Sequence, residues 1–110
     1  MSDEDYDKEY EILIEMFPNA TFTIAIDLKE INNILSHKTS IIIQHSFSCY
    51  CYDNSTRVDK YTITNVTGPI TIKYAIEQLI KQGLSPECNH RFLEAFDKMD
   101  DENFSMFFGS

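Results

Sequence analysis

The chain has 110 residues, with 18 acidic and 9 basic side chains, three cysteines, three histidines and no tryptophan. A chain of this length forms one domain that buries roughly two thirds of its unfolded surface, and an apolar content of 43% sets it apart from disordered sequences. The net charge of −9, with Arg57 and Arg91 as its only arginines, argues against a grip on nucleic acid or an anionic membrane and fits a soluble protein or one with a basic partner.

Residues 1–9 are an acidic segment, too charged to bury, and are expected to form a flexible tail ahead of a single domain over residues 10–110. Asp7 to Phe17 fits two periodicities. Tyr6, Tyr10, Leu13, Ile14 and Phe17 form a helical stripe, whereas Tyr10, Ile12, Ile14 and Met16 alternate as in a strand. Early acids and the following Pro18-Asn19 favour the helix.

From Thr21 to Leu28, Phe22, Ile24, Ile26 and Leu28 alternate with polar or small residues, the pattern of a half-buried strand. Asp27 is then placed to cap a short helix with Leu28, Ile31, Ile34 and Leu35 on one face. Ser40 to Tyr52 predicts a long strand with Ile41, Ile43, Phe47, Cys49 and Cys51 on one face. Ile42, Gln44, Ser46, Ser48, Tyr50 and Tyr52 fall on the other. Asp53 to Thr56 supplies turn residues, and Val58 to Val66 returns as the second strand of a hairpin.

Thr67-Gly-Pro69 breaks that strand. Ile72, Ala75, Ile76, Leu79 and Ile80 form a helical stripe, with Gly83 as its C′ residue. Ser85-Pro86-Glu87 has the chemistry of a second helix start, with Phe92, Leu93, Phe96 and Met99 as the buried face and Asp100 to Glu102 as its end. Phe104 to Phe108 predicts a last strand. The fold class expected is α+β, an antiparallel sheet with helices on one face, in the ferredoxin-like order β-α-β-β-α-β with an extra N-terminal helix.

Sulfur and imidazole carry the sharpest chemical pattern. Cys49 and Cys51, two apart on a strand, would present both thiols to one face, with His45 further along it. If Cys88 and His90 packed over that end, Cys49, Cys51, Cys88 and His90 (or His45) would form a tetrahedral thiolate-rich site suited to zinc. The spacing is shorter than in zinc knuckles, and the competing reading makes both strand cysteines small apolar residues of an inner sheet face. Cys88, in the first turn of the expected helix, would also have its thiol pKa lowered by the helix dipole, the environment of a nucleophilic thiol. Glu87 opposes that shift, and His90 would point to another side of the helix.

The remaining chemistry is thin. The acidic groups at Asp3 to Asp7 and Asp100 to Glu102 lack calcium-loop spacing, and no phosphate-binding glycine loop or hydrolase motif occurs. Tyr50 and Tyr52 on an outward face could stack bases, yet neither the basic surround nor the signature of an RNA-binding sheet accompanies them. Together with Ile42 they make a better protein-contact strip.

Ile72-Lys-Tyr-Ala-Ile-Glu-Gln-Leu-Ile-Lys-Gln-Gly83, then Cys88-Asn-His-Arg-Phe-Leu-Glu94 and Phe107-Phe-Gly-Ser110, resembles small proteins of mimivirus-type giant viruses. Fourteen isoleucines against four alanines, and seven lysines against two arginines, suit the AT-rich coding of such genomes. The resemblance implies a viral protein in the host cytoplasm and carries over no activity. No apolar run has membrane-span length, and the acidic start is unlike a secretory signal, so a cytoplasmic location is expected. The sequence therefore points to a non-enzymatic protein-interaction module, an adaptor or assembly protein, docking through Ile42, Tyr50 and Tyr52 on a protein partner or a second copy of itself. A small zinc domain and a Cys88 thiol enzyme are the alternatives.

Overall fold

The computed structural model describes residues 3–47, 57–84 and 92–109. Acids crowd the first turn of helix α1 (Asp3–Met16), at the positive end of its dipole, so the helix begins inside the acidic segment. Leu13 and Phe17, four residues apart, share one face and are buried, while Ile12 and Ile14 of the expected core stripe and its rival stay exposed. The Phe17 N–H closes the final turn on the Leu13 carbonyl at 3.1 Å, and Pro18 follows.

Phe22, Ile24 and Ile26 are buried and alternate with outward residues, as their spacing predicts. Only Thr23–Ile24 (β1) forms a ladder, parallel to Phe92–Lys98 (β6), and the Ala25 N–H continues it to the Leu93 carbonyl at 2.8 Å. The helix expected after Asp27 is a single 3-10 turn, Leu28–Glu30, and Asp27 makes no side-chain cap. Ile31 drops wholly into the core, and Ile34–Ser36 (β2) pairs antiparallel with Ile70–Thr71 (β5).

Ser40–Phe47 (β3) and Arg57–Thr64 (β4) form the expected antiparallel pair, in register from Ser40–Thr64 to Phe47–Arg57. On its other side β3 runs parallel to Asn103–Gly109 (β7), which pairs antiparallel with β6. The five-stranded order is β1-β6-β7-β3-β4. Its β1–β6 and β7–β3 contacts are parallel, so the sheet is mixed and not the antiparallel one expected.

The expected helix through Met99 is instead strand from Phe92, with Phe92 and Met99 exposed. A ferredoxin-like order needs a helix after its first strand and a single strand after α2 (Ile72–Lys81). Here Leu28–Glu30 is only a 3-10 turn and β6 is an additional strand, so these elements do not draw it. The helix-like spacing in β6 comes from a bulge between Leu93 and Ala95. It resets the alternation so that Leu93 and Phe96, three apart, both turn inward and mimic helical spacing.

Helix α2 (Ile72–Lys81) was legible in its stripe. The Thr71 hydroxyl caps it, accepting the Tyr74 N–H at 3.1 Å. At the other end the Gly83 N–H donates to the Ile80 carbonyl and the Leu84 N–H to the Leu79 carbonyl, both at 3.0 Å. This is the Schellman pattern, with Gly83 at φ +84° as its left-handed residue. Ala75, Ile76 and Leu79 are fully buried among Ile41, Ile43, Ile63 and Leu93. Each buried Ile or Leu contributes about 1.5–3 kcal/mol.

Candidate functional site

Strand alternation gives the sheet two unlike faces. Ile41, Ile43, Ile63, Leu93, Phe104 and Met106 point inward to meet α1 and α2. Residues between them point outward: Ile42 and Gln44 on β3, Lys60 and Thr62 on β4, Ala95 and Asp97 on β6, Ser105 and Phe107 on β7. Ile42 is half-buried on that outward face, as expected, and its N–H reaches across to the Glu102 carbonyl at 2.7 Å. Tyr50 and Tyr52, the other two members of the expected contact strip, lie outside the described residues.

The outward face carries aromatics that sequence reasoning had not placed there. Phe107 is 54% exposed and Phe92 is 42% exposed, on neighbouring strands beside Ala95. A signal for the first existed: Phe107 and Phe108 are adjacent in a strand, so only one of them can face the core. Phe108 takes the inward place, its ring edge-on to Phe22 at 5.7 Å.

Phe108 also stacks on His45, with ring centroids 4.6 Å apart and planes tilted by 40°. His45 is buried on the inner face of β3. It is the one proposed zinc ligand within the described residues; Cys49, Cys51, Cys88 and His90 lie outside them, as does the Cys88 thiol of the enzyme alternative. Among the described residues no three His, Cys, Asp or Glu side chains gather as a metal site would require.

The β4 edge is partly covered. Because the Ile42 N–H turns toward β7, Ile42–Thr62 is a non-hydrogen-bonded pair and the Thr62 carbonyl looks away from β3. The Gln82 side-chain amide donates to that carbonyl, and the Tyr74 hydroxyl donates to the next outward one, on Thr64. Helix α2 thus occupies acceptors that an incoming strand would use.

The β6–β7 turn is fastened by Asp100, whose Oδ1 accepts the Glu102 N–H at 2.9 Å and the Asn103 N–H at 2.8 Å. The Asn103 side-chain amide adds a bond at 2.9 Å. The Glu102 bond foremost, then those from Asn103, hold the Asp100 carboxyl below its ordinary pKa of 3.8. The acids expected to end a helix are therefore a turn between strands.

Among the described residues no helix is long and apolar enough to cross a membrane. Comparison of the chain with protein-family models, with curated proteins and with solved structures finds no match.

Proposed function

We propose that this chain is a non-enzymatic interaction module, an adaptor or assembly protein of the cytoplasm, that docks a protein partner on the outward face of its sheet. The observation that carries the reading is the exposure of Phe107 and Phe92 on a face opposite both helices. Large exposed aromatics at one end of this face, with half-buried Ile42 further along it, supply contact area of the kind protein interfaces use. The sequence resemblance to giant-virus proteins supports a partner in the host cytoplasm.

Cross-linking followed by footprinting tests the reading. Phe107→Glu and Ile42→Glu should abolish a cross-linked complex whose footprint covers β3 and β7, while Ile14→Glu, on the exposed side of α1, should leave it intact. A complex formed equally by all three variants would refute the docking face.

A further inference from the structure

The strand registers place four outward residues in one row across the sheet. Lys60 stands opposite Gln44, Gln44 opposite Ser105, and Ser105 opposite Asp97. The row starts with a cation on β4, passes an amide and a hydroxyl, and ends with an anion on β6. Lys60 and Asp97 are both exposed, and among the described residues neither forms an ion pair. Three interstrand steps hold them about 14 Å apart, too far for either to neutralise the other within the chain.

We infer, building on the docking face proposed above, that its occupant is a second copy of this chain, packed face to face about a two-fold axis parallel to the strands and midway between β3 and β7. Such an axis keeps height along the strands and exchanges left for right. It lays Lys60 over the second copy's Asp97, Asp97 over its Lys60, and Gln44 over its Ser105. A row with opposite charges at its two ends is complementary to its own two-fold image.

Charge makes this match demanding. Two chains of net charge −9 repel at long range, so a contact between copies has to bring opposite charges together locally. Ile42 on one side of the row, and Ala95 and Phe107 on the other, place apolar surface next to the paired charges. Packed sheets cross at about 30°, which displaces residues some 7 Å from the axis by roughly 4 Å. A lysine side chain spans that offset.

Sedimentation equilibrium of the full chain, from micromolar to millimolar concentration, tests the pairing. Wild type should dimerise. Lys60→Glu and Asp97→Lys should each weaken the dimer by about ten-fold or more, and the double reversal should restore it to within about three-fold. Circular dichroism confirms that each variant folds, and Lys60→Gln with Asp97→Asn replace a reversal that does not. A wild type that stays monomeric throughout, or a double reversal no tighter than the singles, overturns the inference. Neither result touches the docking face itself, which fails only if Phe107→Glu and Ile42→Glu leave cross-linked complexes unchanged.

Discussion

Gln82 and Thr62 are joined by a bond from the Gln82 side-chain amide to the Thr62 carbonyl at 2.8 Å, closing the open side of the sheet with a residue just past the end of α2. Tyr74, about two turns earlier in the same helix, does the same for Thr64. A helix packed for its apolar stripe thereby also guards a strand edge, a role invisible in periodicity because it depends on polar residues beside the stripe.

Removing that guard should affect association more than stability. Gln82→Ala removes one exposed hydrogen bond and should lower unfolding free energy by no more than about 1 kcal/mol in urea titration. Combined with Tyr74→Phe, it should increase strand-edge aggregation, measured by light scattering and thioflavin fluorescence. Unchanged scattering in the double variant would show that these bonds do not protect the edge.

The core should respond steeply to lost volume. Ile43 is wholly buried between β4 and β7. Ile43→Val should cost about 0.5–1.5 kcal/mol and Ile43→Ala about 2–5 kcal/mol by denaturant unfolding. Phe107→Thr on the outward face should stay within about 0.5 kcal/mol of wild type, so equal losses at both positions would contradict the two-faced sheet.

Gly83 should resist substitution for conformational reasons alone. Its φ is +84° and a Cβ there would meet nothing within 4 Å. Gly83→Ala should therefore destabilise by about 1 kcal/mol, with Gly83→Asn milder, because asparagine tolerates the left-handed region better. Equal stability for Ala and Asn would remove the Schellman turn as the explanation.

Asp100 should couple the β6–β7 turn to acid. Its folded pKa lies below 3.8, so its ionised form stabilises the fold above that value, and the contribution disappears as pH falls through the folded pKa. Asp100→Ala should be less stable than wild type near neutral pH, with the difference shrinking below pH 3.8. Asn103→Ala should raise the Asp100 pKa in an NMR titration, since it removes the side-chain donor. A difference between wild type and Asp100→Ala that is constant with pH would refute the linkage.

Much of this architecture was legible where one face alone decides burial. Ile41 and Ile43 against Ile42, the partnership of β3 with β4, and the stripe and glycine stop of α2 follow directly from period and turn chemistry. What misled was mixed phase. The β6 bulge gave Leu93 and Phe96 a helical interval, and the single turn after Asp27 left Ile31 buried but Ile34 exposed. Parallel pairing of β7 with β3 joins residues some sixty positions apart, and no local pattern encodes which strand will lie beside which.

The candidate site divides in the same way. Ile42 was placed correctly because alternation in β3 is unbroken, whereas the Lys60–Asp97 row needs three registers at once and exists only in the folded sheet. Phe92 and Met99 were misassigned to the core with the supposed helix, whereas Leu93 and Phe96 do turn inward.

The place of β7 also sets an order of events for a chain emerging from the ribosome. Although it follows every other described strand in the chain, it lies between β6 and β3 and is the seam that joins them. Until Asn103–Gly109 has been synthesised, the β3–β4 hairpin and the β1–β6 pair have no strand in common. Completion of this sheet thus waits for Asn103–Gly109, and nascent chains stopped before Asn103 should remain open to proteases that spare the finished sheet.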